Sequence, residues 1–352
     1  VLEATLREWN VINSSGGLVR ADRDFTGDGV PEVMIVLLDS QSLDHKPPPG
    51  DLLIFGCDNG GYRLLHQAGY QAGSGAPEIQ SADDINGDFI NDLVYVIRTC
   101  GERGCVGVVH ALEWSLTLGT FGSLFAADIT AQEPRVQVKD LETDNVLEIS
   151  ITSGVIPFPD AGPQREVTRI YKWDGIAYSL SQTRTSPAQY RIHVIYDADD
   201  ALRAGDTKQA IKLYQQATSD ANLLGWVFPD DAAHLGAYAR FRLILAYILD
   251  NRVNKAQAAH DELLALYVPV LPTPDLLGTV GPSVAASSLP GFEFADMASI
   301  FWQNFSLNRD MAHACTLVNA YASTHMAALE PLNGFGYANR TYTPDDICPF
   351  TQ

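Results

Sequence analysis

The chain has 352 residues, 46% of them hydrophobic and 19% charged, so it can fill more than one buried core and lacks the composition of a disordered protein. Its 43 Asp and Glu against 23 Lys and Arg leave a net charge of −20, which repels a phosphate backbone or an anionic bilayer and argues against nucleic acid as a partner. Apolar runs such as Val33 to Leu38 fall far short of the ~20 residues that span a bilayer, so no transmembrane segment is expected. The opening Val1-Leu2-Glu3 lacks the succession of an export leader, and the expectation is a leader removed or never present.

Residues 1–190 read as β. Three short β-like stretches, Leu18 to Arg20, Glu78 to Gln80 and Val136 to Val138, each precede an acidic loop. Richer ones follow the loops: Glu32 to Val36, Leu93 to Ile97 and Leu147 to Ile151. Two further strands per unit are predicted, as in Asp51 to Gly56 with Tyr62 to Gln67, and Glu166 to Trp173 with Tyr178 to Thr183. The hairpin signals Asp58-Asn59-Gly60-Gly61 and Asp174-Gly175 connect them. Each unit therefore reads as a four-stranded antiparallel sheet.

The loops run Asp24 to Glu32, Asp84 to Asp92 and Asp140 to Glu148, and they start 60 and 56 residues apart, which marks a repeat. Counting from the first Asp, oxygen-bearing side chains stand at positions 1, 3, 5 and 9: Asp24, Thr26, Asp28, Glu32; Asp84, Asn86, Asp88, Asp92; and Asp140, Glu142, Asp144, Glu148. Crowding carboxylates this way is costly unless a cation offsets the repulsion, and calcium takes six to eight hard oxygen ligands of this kind. Position 7 would add a backbone carbonyl from Val30, Ile90 or Val146. An EF-hand would need Glu at position 12, where Ile35, Tyr95 and Ile151 stand. The competing reading is three acidic turns without metal.

A four-stranded unit of about 60 residues carrying this loop resembles the FG-GAP or VCBS calcium-loop repeat, which builds the blades of integrin α-chain propellers and occurs in many secreted bacterial proteins. The resemblance covers residues 10 to 187 and implies Ca2+ in the first two loops; the third departs from it, with Glu142, Thr143 and Asn145 where the pattern favours Asn, Gly and Gly. Three units are fewer than the four to eight blades of a closed propeller, so the array is expected to be open, completed by a degenerate blade, or capped.

From residue 191 to 352 the spacing becomes helical. Two hairpins are predicted: Tyr196 to Ala217, broken at Gly205-Asp206, and Ala232 to Leu249 with Val253 to Tyr267, turning at Asp250-Asn251-Arg252. Ala210, Ile211, Tyr214 and Ala217 stripe one, and Leu235, Tyr238, Phe241, Leu245 and Ile248 the other. Ala204 to Tyr214 resembles the turn and second helix of a tetratricopeptide repeat, which implies either a peptide groove or a cap on the β domain. A long Pro-containing loop at 268–293, one helix from Phe294 to His325 and a tail packing back over Asn333 to Phe350 complete the reading. The fold class is thus mixed, all-β then all-α: a propeller-like array of three four-stranded units with calcium loops, then tetratricopeptide-like hairpins.

Cys100 and Cys105 flank a predicted hairpin turn, and Cys315 and Cys348 would tie the tail to the last helix, leaving Cys57 free. Disulfides at these places point to an oxidising compartment. No nucleophile elbow, phosphate loop or zincin motif is present. His313 and Cys315 are two apart on a helix and do not face each other, so His313 is expected to pack. Glu113, Asp128 and Glu133 are the carboxylates left for an acid/base pair acting on polysaccharide. Glycosylation sequons stand at Asn13, Asn304 and Asn339. The expected function is an exported, non-catalytic calcium-binding protein that binds a protein or glycan at the cell surface. The alternatives are a subunit of an extracellular filament or surface layer, partnered by copies of itself, and a polysaccharide lyase or hydrolase.

Overall fold

The computed structural model describes residues 4, 18–39, 44–58, 60–69, 73–267 and 289–351. Most of the Pro-containing loop, residues 268–288, lies outside them, as does the Asn13 sequon. The chain divides into two compact units, Val1–Phe158 with Arg165–Ser186, and Pro159–Gln164 with Pro187–Gln352.

The first unit holds three antiparallel sheets. One runs β1 (Leu18–Arg23), β2 (Glu32–Leu38), β3 (Gly50–Asp58), β4 (Gly61–Gly69). The next runs β5 (Glu78–Ser81), β6 (Leu93–Gly101), β7 (Gly104–Ser115), β8 (Thr120–Ser123), with β9 (Ile129–Gln132) also on β7. The last runs β10 (Arg135–Lys139), β11 (Glu148–Ser153), β12 (Val167–Trp173), β13 (Tyr178–Thr185). The middle sheet thus has five strands, not the expected four. At 12 residues, β7 is long enough to pair its end, Leu112–Ser115, with β8 and its start, Val106–Val109, with β9.

The run Leu93-Val94-Tyr95-Val96 is apolar throughout because β6 is covered on both faces. Leu93 and Tyr95 pack with Met34, Val36, Leu52 and Ile54 of the first sheet and with Phe25 of the loop between β1 and β2. Val94 and Val96, alternating to the opposite face, pack with Ile149, Ile151, Tyr171 and Tyr178 of the third. Cys100 and Cys105 are disulfide-bonded across the β6–β7 hairpin, where they are directly paired in register.

In the second unit, α1 (Arg191–Arg203) and α2 (Thr207–Ser219) form one hairpin and α3 (Asp231–Leu249) and α4 (Val253–Ala265) the next. Asp206 caps α2 by accepting the Gln209 N–H. The stripe Ala210, Ile211, Tyr214, Ala217 is buried, as are Leu235, Tyr238, Phe241 and Leu245, with Ile248 partly so. The expected single helix over Phe294 to His325 is two helices, α5 (Phe292–Asn308) and α6 (Met311–Thr324). Arg309 turns left-handed between them (φ 60°), and Asp310 caps α6 by accepting the His313 N–H at 2.9 Å. Short helices α7 (Glu330–Asn333) and α8 (Pro344–Ile347) carry the tail back over the bundle, where Phe335, Tyr342 and Ile347 join its core.

Cys315 and Cys348 are disulfide-bonded, and Cys57 is free and exposed. A second tie to the tail is polar. Asp199, fully buried, accepts the hydroxyls of Tyr214, Tyr238 (3.1 Å) and Tyr342 (2.7 Å) and pairs with Arg242 at 3.2 Å. The Arg242 guanidinium also donates to the Asp346 and Ile347 carbonyls. Arg242 Nε and Nη1 are partnered while its buried Nη2 has no hydrogen-bond acceptor among the described residues, and the network ties α1, α2, α3 and the tail together. Among the described residues no helix is long and apolar enough to cross a membrane.

Candidate functional site

Each acidic loop joins an edge strand to its neighbour, β1 to β2, β5 to β6 and β10 to β11. All three close with the same hydrogen bonds. The position-1 Asp accepts the position-4 N–H on one oxygen, from Gly27 and Gly87 at 2.7 Å and Thr143 at 2.5 Å. Its other oxygen accepts the position-6 N–H of Gly29, Phe89 or Asn145. Asp28, Asp88 and Asp144 at position 5 accept the N–H of Val30, Ile90 and Val146. Glu32, Asp92 and Glu148 at position 9 reach back to the N–H of Phe25, Ile85 and Leu141.

Backbone follows side chain. Positions 4 and 6 are left-handed in every loop, with φ of 72° and 83° at Gly27 and Gly29, 83° and 71° at Gly87 and Phe89, and 61° and 68° at Thr143 and Asn145. The third loop therefore takes the same shape without a single glycine, against the conformational preference of Thr143 above all.

The loops also touch in series. Asn91 donates to the Asp24 carbonyl through its side chain at 2.8 Å, and Leu147 N–H donates to the Ile85 carbonyl at 2.9 Å. The Tyr178 hydroxyl bridges the Ile85 and Leu147 carbonyls. A Cβ at Gly27 would stand 3.3 Å from the Ile90 side chain, and one at Gly87 3.4 Å from Val146, so the position-4 residue of one loop lies under the position-7 residue of the next.

Position 3 separates the loops. The Thr26 hydroxyl donates to Glu32 Oε1 at 3.1 Å. Asn86 accepts the Asp88 N–H and donates to Glu113 Oε2 at 2.8 Å. Glu142 takes the Lys172 ammonium. At position 9, both Glu32 oxygens have donors, whereas Asp92 is 0% exposed and its Oδ1 has none. Burial pushes the Asp92 carboxyl up to about 8, and the charges of Asp88, Glu113 and Asp84 add to that. Burial also raises Glu32 and Glu113. At Asp140 desolvation is outweighed by the N–H donors of residues 145, 143, 144 and 142, which hold its carboxyl low. Among the described residues no three His, Cys, Asp or Glu side chains are gathered as a ready-made metal cluster; the loop carboxylates are turned to backbone N–H groups.

Beside the second loop opens a cleft of about 480 Å³, lined by Asn86, Asp88, Glu113, Ser123, Trp173 and Ile176 among others. Of the three carboxylates considered for acid/base chemistry, Glu113 faces this cleft, Glu133 accepts the Cys105 N–H, and Asp128 acts on His110. His313 is exposed rather than packed, because its place beside the capping Asp310 starts a helix and faces outward. The Asn339 amide nitrogen is committed to the Ala161 and Phe335 carbonyls. Lys172 and Tyr178 lie outside the loops and reach them through strand register, and the part played by Asn91, at position 8 of the second loop, comes from the stacking of one loop on the next. Compared with known proteins, the chain matches no family model and no curated protein.

Proposed function

We propose that the β unit is a calcium-stabilised, propeller-like repeat of the FG-GAP or VCBS kind, and that the protein is exported and binds a glycan or protein at a cell surface without catalysis. One observation carries the reading: three loops closed by one hydrogen-bond scheme, the second of which buries a carboxylate oxygen, Asp92 Oδ1, with no donor. Desolvating a carboxylate oxygen without a partner is expensive, and a divalent cation is the partner that this donor set fits. Asp84, Asn86, Asp88 and Asp92 supply hard oxygens only, the choice of calcium over softer metals. When bound, the ion offsets carboxylate repulsion; its role is structural. The two disulfides suit an oxidising, extracellular compartment.

For the partner, the cleft at the second loop favours a glycan, since Trp173 offers an apolar ring beside the polar groups of Asn86, Asp88, Glu113 and Ser123. The test is thermal unfolding of chelator-treated protein across a calcium series, with magnesium in parallel. Calcium at ~100 times its Kd should add about 2.7 kcal/mol to stability, and magnesium, which demands tighter octahedral geometry, should not. A midpoint unmoved by calcium rejects the reading. A panel of acidic and neutral glycans then tests the partner, and turnover of any of them would replace binding with catalysis.

A further inference from the structure

Cross-strand register gives the three loops a common reference point. Val33, Leu93 and Ile149 stand at position 10 of their loops and pair with Phe55, Leu112 and Tyr171 on the neighbouring strand. The next residue on that strand is therefore equivalent in all three sheets, and it is Gly56, Glu113 and Lys172. Two of the three reach the same place. Glu113 bonds Asn86 and Lys172 bonds Glu142, each at position 3 of its own loop. Gly56 has no side chain to send, and Leu65 lies where one would begin, 2.9 Å from an added Cβ. One structural position thus brings nothing to the first loop, a carboxylate to the second and an ammonium to the third.

We propose that this position sets the cation affinity of each loop, with Glu113 making the second loop the tightest site and Lys172 serving the third as a built-in cation that excludes calcium. The inference rests on the calcium reading above and goes beyond it by ranking the sites. In the second loop, Glu113, bonded to Asn86, adds a fourth carboxylate to Asp84, Asp88 and Asp92, and the buried Asp92 Oδ1 of that loop lacks a donor. Calcium affinity climbs with the count of charged ligands. In the third loop, an ion would have to displace the ammonium from Glu142 and bear its repulsion at close range. The first loop, with Asp24, Asp28 and Glu32 and no contribution from Gly56, falls between.

Two conservative variants test this in the full chain, Glu113→Gln and Lys172→Met, with far-ultraviolet circular dichroism to establish folding. Isothermal titration with calcium should show Glu113→Gln weakening the tightest site by about tenfold, as expected for one lost charged ligand. Lys172→Met should add one calcium equivalent, and Lys172→Met with Asp140→Asn should remove it again, placing it in the third loop. An unchanged tight constant in Glu113→Gln together with an unchanged stoichiometry in Lys172→Met overturns the proposal. Absence of calcium binding in every variant rejects the calcium reading and the ranking with it. Melts in chelator separate that failure from an error about the charges. Without a cation, Lys172→Met should lower the midpoint of the β unit and Glu113→Gln should raise it, and the opposite order means that this position does not balance the loops at all.

Discussion

His66 on β4 and His110 on β7 flank Tyr95, with ring centroids 6.4 Å and 4.8 Å from it. Burial lowers both imidazoles below 6.5, and at His66 the neighbouring His110 adds to the effect; Asp128 pulls His110 the other way. Below pH 6.5 the unfolded chain takes up protons that the folded rings resist, so the unfolded state gains more protons and stability falls. The contribution is fully present above that value and is lost as pH drops through it toward the lowered folded values. Asp92 acts in the reverse sense in cation-free protein: its carboxyl, ordinarily near 3.8, titrates at about 8 when folded, so stability falls as pH climbs between the two. The difference in urea midpoint between the parent and a His66→Gln, His110→Gln variant removes the Asp92 contribution. That difference should grow in favour of the variant from pH 7 to pH 5 relative to its value at pH 8. A flat difference would mean that the rings titrate normally.

At the scale of the element, the third loop holds Thr143 and Asn145 at φ of 61° and 68° where its counterparts use Gly27, Gly29 and Gly87. Asn tolerates this region, whereas a β-branched residue does not, so the strain concentrates at Thr143. Thr143→Gly should stabilise the β unit by about 1 kcal/mol in urea titrations with chelator present, after the lost hydroxyl bond to the Glu142 carbonyl and the added freedom of the unfolded chain are counted. Asn145→Gly should gain less, and a loss of stability in Thr143→Gly would show that the loop is not strained. The loop frame and the strands around it were legible in the sequence because position 1, 5 and 9 carboxylates and apolar runs are local signals. Glu113 was visible only as a loose carboxylate and Lys172 not at all, since both meet their loops through pairings such as Leu93 with Leu112 and Ile149 with Tyr171. Likewise the break between α5 and α6 turns on one cap, Asp310, inside a run whose apolar spacing continues through it. The stacking has an end that spacing did not reveal. At position 2, Phe25 and Ile85 are fully buried, while Leu141 is 47% exposed.

At the scale of the whole molecule, the chain passes between its units more than once, because Pro159–Gln164 belongs to the helical unit although β11 and β12 on either side belong to the β unit. The segment is held there by backbone. Tyr337 and Ala338 donate to the Asp160 and Ala161 carbonyls, and His193 Nε2 lies 3.1 Å from the Pro163 carbonyl. Gly162 and Gly336 permit the approach: both are left-handed, and a Cβ on Gly162 would fall 1.5 Å from the Phe335 oxygen. Cores do not follow the chain across. Among the described residues the helical cluster draws on residues from Ala188 onward, and the clusters between the sheets on residues up to Tyr178. Two cooperative units with separate cores should unfold in separable steps. Gly162→Ala should therefore cost the helical transition more than about 2 kcal/mol, since backbone must move to admit the methyl group at a left-handed position. For the β unit the same substitution only loosens a connection between β11 and β12 whose pairing runs Ile149–Ser153 against Val167–Tyr171. Calcium should do the converse, raising the β transition and leaving the helical one in place. Differential scanning calorimetry of the parent and Gly162→Ala, each with calcium and with chelator, reads all four combinations. If Gly162→Ala lowers both transitions equally, the excursion is a strut on which the sheets depend, and the protein unfolds as one cooperative body.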